Sequence, residues 1–291
     1  MPELPEVEVT RQRISPVFVG RTVAALETTP PSYFFLTPPR DLRRAVVGQT
    51  VRALERQGKY LVADLDDGRR LLLHLGMTGQ LFSAGVASVR LLSATARAAL
   101  SPGDQRVFAP DAHTHLRFAF TDGGPDVFFR DVRKFGKVQL LKAGERSARL
   151  DRLGTDALTV RGEQLFRATR GRRVAIKNLL LDQAVIAGTG NIYADEALFL
   201  GGVRPRRRAS RVTRAECERI ADALRAVMRR SIETGGSSIS DYVAPDGSDG
   251  AYQDERRVYA RRGEPCPACG TPIARTVIAQ RSAHYCPACQ R

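Results

Sequence analysis

Four cysteines near the C-terminus, in Cys266-Pro-Ala-Cys269 and Cys286-Pro-Ala-Cys289, constrain the fold of this 291-residue chain more than any other feature. Sixteen residues separate the two pairs. Each pair presents two sulfurs from one tight knuckle, and two knuckles at this separation match a structural Zn²⁺ site. Disulfides are the alternative, and a reducing compartment disfavours them. His284 is a substitute ligand, but four thiolates already close a tetrahedron. The fifth cysteine, Cys217, shares a helical face with Ile220, Leu224, Val227 and Met228 and reads as a core thiol.

The formal net charge is +15. An excess of that size favours a polyanionic partner, with nucleic acid ahead of a membrane surface. No apolar run approaches the roughly 18–20 residues that span a bilayer, and no secretory signal opens the chain. A cytoplasmic, nucleoid-associated protein is the expectation. With 43% hydrophobic residues, the chain can bury the cores of two domains.

Residues 4–19 read as a helix: Pro5 fits an early helical position, and Glu6 and Glu8 fit the first turn. From residue 50 to 141 the pattern becomes strand-like, at 51–56, 60–65, 69–75, 116–120, 127–129 and 137–141. Asp66-Asp67-Gly68 and Asp122-Gly123-Gly124 supply hairpin turns. Antiparallel strands at this spacing predict a β-sandwich or barrel. Residues 83–112 are rich in Ala, Ser and Arg without a clear period and read as a long excursion. Beyond residue 149 the chain becomes helical, at 163–170, 175–182 and 192–200, with Gly188-Thr189-Gly190-Asn191 as an interruption. Thr213 and Glu216 form a capping box ahead of a long helix to residue 232, which Gly235-Gly236 stops.

The chain begins Met1-Pro2-Glu3. Removal of Met1, which a small second residue permits, makes Pro2 a terminal secondary amine. Such amines titrate at about 7.7–8.0, against about 10.4 for lysine, so a useful fraction is neutral near pH 7. Attack on a sugar C1′ would give a cationic iminium, an electron sink for later bond breaking. Glu3 stands beside it as a proton donor or acceptor. Alone, this tripeptide reads as a disordered chain end, and Lys59 after Gly58 as an ordinary surface lysine.

Six motifs change that reading. MPELPEVE at 1–8, GKYL at 58–61, HLGMTG at 74–79, GTGNIYADEALF at 188–199, GGSS at 235–238 and the cysteine knuckles occur in one order. Together they resemble the bacterial formamidopyrimidine-DNA glycosylases, which excise oxidised purines, chiefly 8-oxoguanine and formamidopyrimidines, from double-stranded DNA. The resemblance covers nearly all of the chain outside 83–112. It implies an α+β fold with an N-terminal β-sandwich domain (1–148). A helical helix-two-turns-helix domain with a lesion-recognition loop (149–262) and a C-terminal zinc-finger β-hairpin (263–291) would follow.

The same resemblance implies site roles. Pro2 would attack C1′, Glu3 would move protons, Lys59 would assist elimination, and Arg281 would grip phosphate at the lesion and aid the second elimination. The flipped nucleotide leaves a void. Met77 and Phe135 would fill it and Arg133 would hydrogen-bond the orphaned cytosine. His74, His113, Arg172 and Asn191 would contact the DNA backbone. Glu6 with the loop Ser237, Ser238, Ile239, Ser240, Asp241 and Tyr242 would read the lesion, for which the N7–H donor of 8-oxoguanine is the distinguishing group. Cys266, Cys269, Cys286 and Cys289 would hold one structural Zn²⁺. The enzyme would act as a monomer, as both glycosylase and AP lyase.

Two departures from the family pattern stand out. The family's Asp-Pro-Arg-Arg-Phe-Gly is Asp131-Val132-Arg133-Lys134-Phe135-Gly136 here, and Ala112 replaces the usual lysine before His113. Two other readings compete: an endonuclease VIII-like glycosylase for oxidised pyrimidines and a non-catalytic zinc-ribbon DNA-binding protein. Leu4 with Met77, Arg133 and Phe135 favours the purine branch over the first, and Pro2, Glu3 and Lys59 oppose the second.

Overall fold

Alternation of apolar residues along short strands decides the first half of the chain. The inward residues Leu61, Ala63 and Leu65 of one strand face a core shared with Leu71 and Leu73 of the next. The strands are β1 (Val23–Thr28), β2 (Val51–Gln57), β3 (Tyr60–Leu65), β4 (Arg70–His74), β5 (Gly79–Ser83), β6 (Thr114–Phe120), β7 (Val127–Asp131) and β8 (Lys137–Leu141). They form two four-stranded sheets, ordered β1-β6-β7-β5 and β2-β3-β4-β8, with antiparallel pairing throughout. One core joins both sheets, as the β-sandwich expectation requires. Phe34, Phe118 and Phe129 are fully enclosed in it, each contributing about 1.5–3 kcal/mol of burial.

The computed structural model describes residues 2–86, 110–238 and 242–291. It divides into two compact units, Met1–Ser147 with Thr234–Ala251, and Ala148–Glu233 with Tyr252–Arg291. Most of the 83–112 excursion lies outside the described residues.

Helix α1 (Leu4–Ile14) packs against β2, β3 and β5, and Val7 and Ile14 enter the sandwich core. It ends five residues short of the sequence expectation. Pro16 lies in the 3₁₀ turn Ser15–Val17, and its missing N–H cannot continue the helical ladder. Helix α2 (Pro39–Val46) and strands β1 and β5 are additions to the sequence reading. Pro38 caps α2 and Pro39 opens it, where a missing N–H is no loss. β1 buries only two of its six residues, too few for a clear alternation.

The second unit contains α3 (Ala148–Asp151), α4 (Gly162–Thr169), α5 (Ile176–Leu181), α6 (Asn191–Leu200) and α7 (Arg214–Glu233). Along α7 the buried residues Cys217, Ile220, Ala221, Leu224, Val227 and Met228 recur every three or four positions. The Thr213 capping box forms as read: Thr213 N–H donates to Glu216 Oε2 at 2.8 Å, and Glu216 N–H to Thr213 Oγ1 at 3.3 Å. Burial pushes the Cys217 thiol up to about 11, as suits an inert core group. Strands β9 (Ala274–Ile278) and β10 (Arg281–Tyr285) form the terminal hairpin. Among the described residues no helix is long and apolar enough to cross a membrane.

Candidate active site and nucleic-acid interface

The N-terminus is built into the first unit. Pro2, Glu3 and Glu6 are buried. Glu3 caps α1, and Glu6 three residues on closes a reciprocal capping box. The Glu3 N–H donates to Glu6 Oε2 at 2.8 Å. The other carboxylate oxygen of Glu6 accepts from the Ser237 N–H at 2.9 Å. Pro2 therefore sits at the positive end of a helix.

The segment Thr234–Ala251 belongs to this unit, whereas the sequence reading places it within 149–262. Tertiary contacts explain the difference. The Tyr242 hydroxyl donates to the Glu6 carbonyl at 3.1 Å, and Arg13 pairs with Asp246 at 2.8 Å. Val243 packs on Phe82 and Phe128. Gly236 takes φ +87°, a conformation that disfavours a side chain, and a Cβ there would press tightly on the Tyr242 ring at 3.1 Å and Glu6 Cγ at 3.3 Å. Ser237 and Ser238 are buried, and the Ser238 hydroxyl accepts from the Gly250 N–H at 2.9 Å. Burial pushes the Tyr242 phenol well up, so it stays a neutral donor. Ile239, Ser240 and Asp241 lie outside the described residues.

Lys59 occupies the two-residue turn Gly58-Lys59 that joins β2 to β3, closed by the pair Gln57 and Tyr60. Gly58 takes φ +57°, as such turns require. Arg56 fixes this turn to α1: it donates to the Gly58 carbonyl at 3.0 Å and to Glu8 Oε2 at 3.0 Å. Burial would raise the Glu8 carboxyl, but Arg11 and Arg56 outweigh it and hold the group below its ordinary value.

A second cluster in this unit gathers Met77, Arg133 and Phe135, all exposed. Gly76 makes their approach possible. A Cβ there would lie 2.5 Å from the Phe135 carbonyl carbon and 2.5 Å from the Gly136 nitrogen. The buried Asp131 carboxylate accepts from the N–H groups of Arg133 (3.2 Å) and Gly136 (2.7 Å), and from the Thr78 hydroxyl. The Arg133 guanidinium rests 4.6 Å from the Phe135 ring centroid. His74 Nδ1 accepts from the Gly76 N–H at 3.1 Å and so shapes the turn carrying Met77.

His113 is half-buried beside this loop, and its carbonyl accepts from the Asp131 N–H at 2.9 Å. The sequence reading missed His115, which is buried with Nε2 2.9 Å from the Asp131 carbonyl. Burial holds its imidazole below the ordinary value. It sits in a strand whose alternation is broken there, with His115 and Leu116 both buried, so the sequence pattern carried no clear signal.

In the second unit, Asn191 is the first residue of α6, directly after Gly190. Its amide donates to the Ser282 hydroxyl at 3.4 Å, and its Oδ1 is buried with no hydrogen-bond partner among the described residues. Arg281 is exposed at the start of β10, after the left-handed pair Ala279 and Gln280. A buried ion pair, also missed from sequence, supports this strand. Lys177 Nζ lies 2.6 Å from Asp195 Oδ1 and donates to the Ser282 carbonyl at 2.5 Å. Asp195 Oδ2 accepts from the His284 N–H at 2.9 Å. Glu196, fully buried, accepts from the N–H groups of Arg257, Val258 and Tyr259. The signal was a lysine and two acids inside otherwise apolar helices. Arg172 stands apart, exposed and 3.8 Å from Asp182.

The sulfurs of Cys266, Cys269, Cys286 and Cys289 all lie within 4.8 Å of one another. Three of the separations are 3.9, 3.5 and 3.4 Å, near the roughly 3.8 Å that Zn–S bonds of about 2.3 Å set in a tetrahedron. Hydrogen bonding from Thr271 brings Cys269 down to about 6, while the neighbouring Cys269 sulfur and burial push Cys289 up to about 12. Four thiolates this close need a shared cation. The site fits one structural Zn²⁺, whose four ligands leave no open position.

Three family models cover the chain: the formamidopyrimidine-DNA glycosylase N-terminal domain at 1–138, its H2TH domain at 153–243, and the zinc finger found in FPG and IleRS at 263–291. These are the parts of a DNA-repair glycosylase. The chain is 42% identical over 297 residues to a formamidopyrimidine-DNA glycosylase of Roseiflexus sp. (strain RS-1), with both chains fully covered. It resembles the crystal structure of the MutM (FPG) protein of Thermus thermophilus at TM-score 0.83 and 36% identity, covering 99% of this chain and 98% of that one. It also resembles a Lactococcus lactis FPG variant in complex with Fapy-dG-containing DNA, at TM-score 0.84 and 30% identity with both chains fully covered. The chain belongs to the formamidopyrimidine-DNA glycosylase family, and is thereby a base-excision-repair enzyme, both DNA glycosylase and AP lyase.

Proposed function

We propose that the enzyme removes oxidised purines, 8-oxoguanine and formamidopyrimidines, from double-stranded DNA through the nitrogen of Pro2. The N–C1′ bond forms as the bond from C1′ to the damaged base breaks, and the base leaves with the electron pair and a proton. The C1′–O4′ bond then opens and O4′ takes a proton from Glu3. The iminium acidifies C2′, whose proton is lost as the C3′–O bond breaks, and then C4′, whose proton is lost as the C5′–O bond breaks. Lys59 holds the adjacent phosphate or moves a proton, and Arg281 grips the phosphate at the lesion through the second elimination. Met77 and Phe135 occupy the vacated stack, and Arg133 reads the orphaned cytosine. His74, His113, Arg172 and Asn191 bind the phosphate backbone. Glu6 and residues 237–242 read the lesion, and zinc, when bound, holds the hairpin that carries Arg281.

One observation carries this reading. Pro2 and Glu3 are buried at the capped start of α1, and Glu8 and Arg56 tie that helix to the turn bearing Lys59. A mere chain end has no need of such anchoring. The net charge of +15 supports a monomer working on the DNA of the nucleoid. Matched duplexes test the substrate class. Excision of 8-oxoguanine should exceed excision of thymine glycol at least tenfold, and the reverse order would assign the enzyme to the pyrimidine branch.

A further inference from the structure

We infer that the Tyr33 hydroxyl positions Arg133, and that discrimination of the base opposite the lesion depends on it. This rests on the reading of Arg133 given above. Tyr33 lies between β1 and α2, a hundred residues before the loop it touches, and is 59% exposed. Its hydroxyl donates to the Arg133 carbonyl at 3.1 Å.

That bond fixes one peptide group from both ends. The Arg133 carbonyl is held by Tyr33, and the N–H of the same peptide, on Lys134, donates to the Asp131 carbonyl at 3.2 Å. Lys134 takes φ +56°, a left-handed conformation disfavoured for a residue with a side chain. Without a restraint on its carbonyl, this peptide can flip and return Lys134 to negative φ. The flip breaks the Lys134 N–H bond to the Asp131 carbonyl and loosens the turn that carries Arg133. Lys137 adds a second brace: its ammonium lies 4.9 Å from the Tyr33 ring centroid and donates to the Gly136 carbonyl at 3.0 Å. The loop has Val132, 47% exposed, where a proline would have limited its backbone freedom. Tyr33 supplies that restraint from outside the loop.

The test uses borohydride trapping and single-turnover excision on 8-oxoguanine duplexes with cytosine or adenine opposite. The wild type should form an adduct and prefer cytosine. Tyr33→Phe should lower the cytosine-over-adenine ratio about 3- to 10-fold, the range one hydrogen bond supplies. Excision opposite adenine and the melting temperature should be retained. Adding Val132→Pro should restore the ratio, because proline narrows the backbone choices of the loop. A Tyr33→Phe ratio within twofold of wild type, or equal losses opposite both bases, overturns the inference. So does a lowered ratio that Val132→Pro leaves unrestored. A wild type that traps on neither duplex overturns the functional reading itself, and is thereby distinguishable.

Discussion

Glu6 holds the backbone N–H of Glu3 on one carboxylate oxygen, at 2.8 Å, and that of Ser237, 231 residues away, on the other, at 2.9 Å. A single buried side chain thus joins the residue after Pro2 to the start of the 237–242 loop. Glutamine has one acceptor and one donor, so Glu6→Gln must face one of these N–H groups with an NH₂. The variant should lose about 1–3 kcal/mol of stability, measured by urea unfolding. The Ser237 or Glu3 amide should lose hydrogen-exchange protection. Unchanged exchange at both would remove Glu6 from this role.

Lys177 and Asp195 are both fully buried, 2.6 Å apart. Lys177→Met fills similar volume but strands the Asp195 charge. A loss of about 3–5 kcal/mol in urea unfolding is expected, as for one member of a buried pair. A loss below about 1 kcal/mol would show that the aspartate is satisfied by His284 alone.

Acid should loosen the contact between α1 and the Lys59 turn. The folded Glu8 carboxyl lies below its ordinary value of 4.5, so its contribution is complete above that pH and is lost as pH falls through the depressed folded value. Urea midpoints compared between about pH 6 and about pH 3 should fall less steeply in Glu8→Gln than in wild type. Parallel curves would contradict the assignment.

Zinc analysis should return one equivalent per chain, bound by the four cysteines. Chelator treatment, or Cys286→Ala, should release it and abolish duplex binding while the far-UV strand signal of the sandwich persists. Full binding by zinc-free protein would separate the hairpin from DNA recognition.

Local chemistry made much of this architecture legible. The knuckles at 266–269 and 286–289, the hairpin turn at Asp66-Asp67-Gly68 and the Thr213 capping box are signals in which a few adjacent residues fix the geometry. β1 was not legible because only two of its residues turn inward, and α2 because prolines mark its start. The placement of 234–251 depends on Glu6, Arg13 and Phe82, partners more than 150 residues away that no local window contains. The candidate residues for the chemistry came from motif order, whereas the groups packed around them, His115, Asp131, Lys177 and Tyr33, did not. A bracing hydroxyl such as that of Tyr33 has no signature until its partner is in place, whereas Lys177 and Asp195 stood out as charges within apolar helices.

The central claim is a bond between the Pro2 nitrogen and deoxyribose C1′. Borohydride reduction of the enzyme on an 8-oxoguanine duplex, followed by peptide mass mapping, tests it directly. The account predicts that the adduct maps to the N-terminal nitrogen of a chain beginning at Pro2, and that Pro2→Gly loses excision far more than duplex binding. An adduct on Lys59, or full activity in protein that retains Met1, would contradict it.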